Sequence, residues 1–393
     1  MTERLYYNDS YLRAFDARVL RCEPAGAHWR VTLDRTAFYP SSGGQPFDTG
    51  TLGPATVTDV MDDEAGDAIV HLVNRPLSAE TVQGSIDWPR RFDHMQQHTG
   101  QHILSAAFVE LFNFPTVSFH LGRESSTIDL PQPPSPAQLE AAERRANEII
   151  FENRPVEILY GTAGELEKIG IRKAVDREGV LRAIAIRHFD RQPCGGTHVA
   201  RTGEVGLLLL RKIEKQKQNC RIEFVCGGRA LRAARSDYAT LGDAARVLTC
   251  APGEVPAALR RVQEEQRAGQ KRAQTVLESL ARFEAADLLR SAPPPAGSPR
   301  RVAKIFDDAD AAYLRLLATQ LVAQGAAAPG TQAFLATRAG GHVIFAQSPG
   351  LPADMNQQLR AALQPQGGKG GGTRDFAQGA LPATALDAVF ATL

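Results

Sequence analysis

DHMQQHTGQHILSAAFVELFN, residues 93–113, is the stretch on which the fold turns. Ile103, Leu104, Ala107, Phe108 and Leu111 recur at helical spacing and mark a buried stripe. Asp93 suits an N-cap and Gln96 the capping-box position, so the pattern predicts a helix from about Asp93 to Asn113. On that helix His98 and His102 stand four residues apart, one turn above the other on one face, where both imidazoles can grip one ion. Two ligands make a weak site. Ninety residues on, CGGTH at Cys194–His198 supplies a thiolate and a third imidazole, with Gly195 and Gly196 free to fold tightly between them. Pooled, His98, His102, Cys194 and His198 form a three-nitrogen, one-sulfur set suited to tetrahedral Zn²⁺.

Either half alone reads more simply. An i, i+4 histidine pair is more often an accident of surface or core, and most single cysteines are small buried hydrophobes. The protease signature HExxH is excluded, because Thr99 follows His98 and its general base is missing. Composition narrows the class further. With 393 residues, two to four domains are expected. At 43% hydrophobic and 23% charged residues, the chain has the balance of a soluble protein. No apolar run approaches the ~20 residues of a membrane span, and the N-terminus lacks a signal-peptide core. Five scattered cysteines fit a reducing cytoplasm with thiols free for metal. A net charge of +1 excludes a uniformly basic nucleic-acid binder but not a local basic face. Between Arg211 and Arg235 lie eight Lys or Arg, among them Lys212, Lys215 and Lys217, against two Glu. That stretch is either a solvated face or a polyanion surface.

In chain order, residues 1–90 read as β-rich, an antiparallel barrel or sandwich with strands at 17–23, 28–33, 55–61 and 68–73. Within it, DRTAFYPSSGGQPFDTG (34–50) holds a tight loop. Gly43 and Gly44 would let a ligand approach the backbone and Gln45 would offer an amide, or the loop is an ordinary hairpin turn. Residues 91–240 form an α/β segment: an extended stretch 117–130, a helix capped by Ser135 with Pro136 at N1, strands at 156–161, 181–189, 205–213 and 220–226. His94 is placed on another helix face from His98, exposed to solvent, and His188 along the sheet. Residues 241–299 are a charged helical arm and a Pro-rich linker; Leu259, Val262, Ala273, Val276, Leu280 and Phe283 keep a 3–4 spacing that Gln266 and Gly269 interrupt, which suits a short coiled arm and not a long zipper. Residues 300–393 are a second α/β unit, with strand 301–306, helix 311–324 and a hairpin around Ala339–Gly341. Its GGKGGG at 367–372 fails the P-loop spacing; it reads as a flexible loop, or as a backbone phosphate cradle with Lys369 as a point charge.

TAFYPSSGGQPFDTG, HTGQH, CGGTH and GGKGGG, in this order, resemble the editing half of alanyl-tRNA synthetase and its free-standing relatives, the long-type alanyl-tRNA editing proteins. The resemblance spans essentially the whole chain. It implies an α+β multidomain protein: an N-terminal β-barrel, a zinc-containing α/β editing domain shared with threonyl- and alanyl-tRNA synthetases, a helical arm, and a C-terminal α/β domain of the DHH-associated kind that docks tRNA. It implies one Zn²⁺ on His98, His102, Cys194 and His198, Gln45 and Cys194 at the reacting centre, and Thr36 as the hydroxyl that meets the misattached amino acid. Gly43 and Gly44 line the pocket in this view, Arg221 lies near the bound tRNA end, and Lys212, Lys215, Lys217 and Lys369 face RNA. The loop departs from the family's Gly-Gly-Gly-Gln in carrying Ser42. Without an aminoacylation core, the chain is expected to edit in trans, deacylating tRNA(Ala) mischarged with serine or glycine in the cytoplasm, and the arm or last domain offers a route to a homodimer. The rival readings are a non-catalytic tRNA-binding module with structural zinc, and a zinc hydrolase of small esters. Four protein ligands fill a tetrahedron, a pattern typical of structural zinc.

Overall fold

Alternation of buried with partly buried residues along Ile69–Val73, and of exposed with buried residues along Thr81–Ile86, turns one face of each strand inward. In the computed structural model, which describes residues 1–63, 68–172, 179–216 and 218–393, these strands belong to a closed barrel. Its order is Ala14–Ala25, His28–Leu33, Ile69–Val73, Ala55–Asp62, Gly50–Leu52 and Thr81–Ile86. Closure leaves no strand edge to aggregate. Val31, Leu33, Phe38, Leu52, Val57, Val60 and Ile69 fill the interior.

The chain folds as two compact units, Met1–Asp243 and Ala244–Leu393. In the first, the barrel is followed by helix α1 (Trp88–Phe112), which starts earlier than its sequence suggests. Asp87, not Asp93, is the N-cap, its side chain accepting from the Arg90 N–H, with Pro89 in the first turn where its missing N–H costs nothing. Asp93 is instead inside the helix, paired with Arg229, and Gln96 donates to the Glu204 carbonyl rather than closing a capping box. Asn113, in the left-handed region, ends the helix. Met95, Ile103, Leu104 and Phe108 pack against α2 (Pro136–Phe151) and a four-stranded antiparallel sheet, ordered Leu208–Gln216, Asn219–Cys226, Ser126–Leu130 and Ser118–Leu121. Burying a side chain such as Phe108 contributes roughly 1.5–3 kcal/mol. α2 has its capping box, Ser135 with Gln138, as the sequence indicates. A second, three-stranded sheet (Val156–Gly161, Leu181–Ile186, Asp190–Pro193) leads directly into Cys194. The expected strand 181–189 stops at Ile186, because the chain turns at His188 with φ +58°; that side chain is exposed and does not line the sheet. α3 (Ala163–Lys168) and α4 (Gly227–Leu248) are the other helices that begin here.

In the second unit, α5 (Val255–Ser291) is one continuous helix of 37 residues. Gln266 and Gly269 do not interrupt it: a glycine costs only ~1 kcal/mol, and the Ala, Arg, Glu and Gln around it are good helix formers. α6 (Ala311–Gln324) packs against α5 and, with α7 (Met355–Leu363) and α8 (Leu386–Phe390), completes the helices. The sheet is Arg300–Phe306, Thr331–Thr337, His342–Gln347, Phe376–Ala380 and Lys369–Gly372, parallel in its first pair and antiparallel thereafter. The GGKGGG segment is therefore an edge strand and not a flexible loop. A Cβ on Gly370 would meet the Gln378 carbonyl and Leu359 at 2.9 Å, so glycine there lets the strand lie close under α7.

Candidate metal centre

Most positions of the two short motifs have a structural task. His98 and His102 are 1% and 3% exposed, on the inward stripe of α1. Cys194, Gly196 and His198 come in from the end of the three-stranded sheet, and the ligand atoms of His98, His102, Cys194 and His198 all lie within 4.8 Å of one another. Cys194 Sγ is 3.4 Å from His98 Nε2 and 3.3 Å from His198 Nε2. Zn–N bonds of ~2.05 Å and Zn–S bonds of ~2.3 Å in a tetrahedron require S···N edges of about 3.5 Å, so the spacing fits such an ion. Gly100 lets the Cys226 sulfur approach α1, since a Cβ there would stand 2.3 Å from it. A Cβ on Gly196 would lie 2.2 Å from the His98 ring.

On the side of the rings away from the cluster, the Nδ1 atoms of His98 and His198 are hydrogen-bonded, and that of His102 lies at ion-pair distance from a carboxylate. His98 Nδ1 lies 2.8 Å from Gln45 Oε1, and His198 Nδ1 lies 3.1 Å from Thr99 Oγ1. His102 Nδ1 faces Asp190 Oδ2 at 3.6 Å, and Asp190 is in turn held by Arg172 at 2.8 Å. A proton on Nδ1 of His98 and His198, donated to these acceptors, leaves Nε2 as a lone pair, the tautomer that a metal ligand needs. Burial alone would raise the Cys194 pKa, but the His98 and His198 imidazoles overturn that and hold it well below the ordinary thiol value. Burial opposes charge on His102, yet Asp190 and the Cys194 sulfur raise its pKa to about 9. Arg182 clamps the ligand loop from behind, its Nη1 donating to the Cys194 and Gly196 carbonyls at 2.7 and 3.0 Å.

Gln45 arrives from the barrel. Ser42 and Gln45 exchange both backbone hydrogen bonds, and Gly43 and Gly44 between them have φ +53° and +80°. This is the two-residue hairpin turn that demands positive φ at both centres. Ser42 lies outside those two positions, so serine is tolerated where the family pattern has glycine. Arg91, two turns before His98 on α1, fixes the base of the loop: its buried guanidinium binds Asp48 and the Ala37 and Ser10 carbonyls. Gln45 is 2% exposed and uses both ends of its amide. Besides His98, its Oε1 accepts from the Thr197 N–H at 3.1 Å and its Nε2 donates to Thr197 Oγ1 at 2.8 Å.

Beside the ligands opens a cavity of about 310 Å³, walled by Gly43, Gly44, His102, Phe119, Arg172 and Gln192 among others. Gln192 Oε1 is buried with no hydrogen-bond partner among the described residues. Thr36 lies elsewhere. It is fully buried in the barrel, its hydroxyl 2.8 Å from His71 Nε2 and accepting from the Phe38 N–H, and it is not part of the cavity wall. Arg221 forms a two-bond ion pair with Asp129, which also accepts from Ser118 of the cavity wall. Lys212 pairs with Glu214, Lys215 and Lys369 are exposed, and Lys217 is outside the described residues. His94 is 2% exposed and not at the surface, because the spacing 94, 98, 102 places it on the same inward stripe. Sequence reading missed Asp190, Arg172, Arg182 and His71, which lie outside the motifs; Thr99 and Thr197 lay within HTGQH and CGGTH.

Residues 181–223 match the family model described as the threonyl and alanyl tRNA synthetase second additional domain. The fold and site thus define a protein built on a domain that those synthetases also carry. The chain is 31% identical to the alanyl-tRNA editing protein AlaX-L of Pyrococcus horikoshii, over 98% of this chain and 95% of the relative. It is 33% identical to the alanyl-tRNA editing protein Aarsd1 of Bos taurus, over 72% of this chain and 68% of that one. It is 34% identical to the alanine–tRNA ligase of Pyrococcus abyssi, over 72% of this chain but only 32% of the ligase. The chain belongs to the alanyl-tRNA editing proteins. Among the described residues, no helix is long and apolar enough to cross a membrane.

Proposed function

We propose that the chain is a trans-editing hydrolase that guards translation fidelity in the cytoplasm, cleaving the ester of serine, or of glycine, wrongly attached to tRNA(Ala). The near end-to-end match to AlaX-L supports action in trans. The observation that carries the reading is the convergence of four ligand atoms beside the 310 Å³ cavity. The donor set fits Zn²⁺, which when bound supplies Lewis acidity toward an ester carbonyl. The protein's own groups orient the reaction. Gln45, Thr99 and Asp190 aim the imidazoles, and Arg182 fixes the Cys194–Gly196 carbonyls. The Phe119 ring offers the terminal nucleoside a stacking face, and Gln192 Oε1 is an acceptor for a substrate N–H or O–H. Water adds across the ester, releasing the amino acid and the tRNA 3′ hydroxyl. In this reading Gln45 and Cys194 act on the ligand set, Gly43 and Gly44 shape the cavity, and Arg221 braces its wall. Thr36 supports the loop from inside the barrel instead of meeting the substrate.

We assign residues 1–90 to the barrel, 91–240 to the zinc-binding editing domain, 241–299 to the arm and linker, and 300–393 to tRNA docking. Lys212, Lys215 and Lys369 contact the phosphate backbone in this assignment, with the steep salt dependence such contacts bring. Leu259, Val262, Val276, Leu280 and Phe283 keep heptad spacing along α5 and are each at least 46% exposed, which supports a homodimer through the arm. The test is incubation with Ser-, Gly- and Ala-tRNA(Ala), wild type against Cys194→Ala, with zinc measured in both. Wild type should hydrolyse the first two and spare the third, and the variant should lose zinc and activity together. The closed four-ligand set favours a second reading, a structural ion in a tRNA-binding module; wild-type protein full of zinc that leaves Ser-tRNA(Ala) intact would establish it.

A further inference from the structure

A second cavity in the first unit, about 360 Å³, is lined by Arg90, Arg123, Arg229 and Arg232 against a single acid, Asp93. Arg229 is spent on Asp93 and on the Gly122 carbonyl. Arg90 lies over the Phe47 ring and donates from Nε to the Phe47 carbonyl. Arg123 and Arg232 are exposed and have no carboxylate partner among the described residues. The net charge of the wall is therefore three positive. Gly228, exposed in the first turn of α4, belongs to the same wall, and Arg232 folds back toward it, since a Cβ there would sit 3.4 Å from its Nη1. The first N–H groups of a helix have no helical acceptor and carry partial positive charge. His94 completes the wall: it is 2% exposed, and its Nδ1 has no hydrogen-bond partner among the described residues. Burial, and then Arg90, push its pKa down to about 4, so the ring is neutral and the arginines meet no competing cation.

Two elements run from the metal-side cavity to this one. Along α1, His94 precedes His98 by one turn, ~6 Å. On the strand Ser118–Leu121, Phe119 borders the first cavity, and Arg123, in the bend that follows the strand, borders the second. We propose that this arginine pocket binds backbone phosphate of the substrate's acceptor strand, just before the 3′ nucleoside whose ester enters the metal-side cavity. The inference rests on the tRNA-editing reading for the identity of the RNA, and the arginine, histidine and helix-end chemistry selects a phosphodiester.

The experiment measures binding of uncharged tRNA(Ala) by fluorescence anisotropy between 50 and 300 mM salt, which needs no catalysis. Arg123→Gln with Arg232→Gln should weaken binding about tenfold and make the log–log salt slope shallower by about 1 to 2. Both side chains are exposed, so zinc content and melting temperature should remain those of wild type. Arg232→Lys should recover part of the affinity. Unchanged affinity and slope in the double variant overturns the proposal. So does inorganic phosphate displaced by the variant's substitutions while RNA affinity stays put, which would make the pocket a site for free anions. Failure of the editing reading shows separately, as wild type that leaves Ser-tRNA(Ala) intact.

Discussion

Replacing Gln45 separates positioning from direct chemistry. Its amide makes three buried hydrogen bonds, to His98 Nδ1, the Thr197 N–H and Thr197 Oγ1. Gln45→Ala strands all three groups at a site where the residue is 2% exposed. At about 1 kcal/mol or more for each stranded group, the loss of stability is about 3 kcal/mol. His98 also loses the acceptor that fixes its tautomer, and such outer partners are worth about 10- to 100-fold in metal affinity. Gln45→Glu keeps an oxygen for His98 and for the Thr197 N–H, and the Thr197 hydroxyl can turn to donate to the other oxygen. The glutamate variant should therefore recover most of the zinc affinity that the alanine variant loses. Competition against a chromogenic chelator gives the affinities, and the visible spectrum of Co²⁺-substituted protein reports the geometry. If Gln45→Ala holds zinc as tightly as wild type, with an unaltered Co²⁺ spectrum, yet hydrolyses nothing, Gln45 acts on the substrate and the positioning argument is wrong.

Asp190→Ala should cost about 10- to 100-fold in zinc affinity, with Asp190→Asn intermediate, because Asn still presents an oxygen to His102; wild-type affinity in the alanine variant would refute the Arg172–Asp190–His102 arrangement. Thr36→Val should lower hydrolysis of Ser- and Gly-tRNA(Ala) alike, since the hydroxyl is engaged by His71 and Phe38; loss confined to the serine substrate would put it against the amino acid. Burial holds His71 at a pKa of about 4 against an ordinary 6.5, so the folded protein refuses a proton that the unfolded chain accepts. Its stabilisation is complete above pH ~6.5 and falls by about 3 kcal/mol as pH drops toward about 4. An NMR titration in which this ring protonates near 6.5 would contradict that. Val276→Lys with Leu280→Lys should convert an α5-mediated dimer to monomer in light scattering, and a monomeric wild type would dispose of the dimer.

The convergence of His98, His102, Cys194 and His198 was legible because zinc chemistry restricts residue type and because i, i+4 spacing on a helix is a local property. The same holds for α2 and α6, whose bounds follow from Ser135, Pro136 and a clean apolar stripe. What the sequence hid is what tertiary contact decides. Asp93 resembles a cap until Arg229, far away in the chain, claims its carboxylate. His94 looks solvated unless α1 is extended back to Trp88, which depends on Asp87 and Pro89. Gly269 looks like a break when propensity is weighed alone, and is absorbed by a long run of helix formers. The glycines of GGKGGG suggest freedom, whereas a Cβ on Gly368 or Gly370 would meet Leu363 or Leu359 of α7 at 3.1 or 2.9 Å. Asp190 could not be singled out, since a carboxylate in FDRQP carries no periodic signal.

The outer partners of the three imidazoles come from three different places: Gln45 from a barrel loop, Thr99 from α1 itself, and Asp190 from the three-stranded sheet. An ion at the convergence point therefore joins elements distant in the chain, and its binding free energy becomes folding free energy for that junction. The reverse also holds. Arg91 fixes the loop base, Arg182 fixes the Cys194 and Gly196 carbonyls, and Gly196 leaves no free volume beside His98, so the chain's own hydrogen bonds and packing hold the four donors together. A site organised in this way spends little ordering entropy on binding, and any small displacement of the loop at Gly43–Gly44 is transmitted through Gln45 to a ligand. The same turn forms one wall of the cavity, so whatever fills that cavity is coupled to the His98 ring through a single amide.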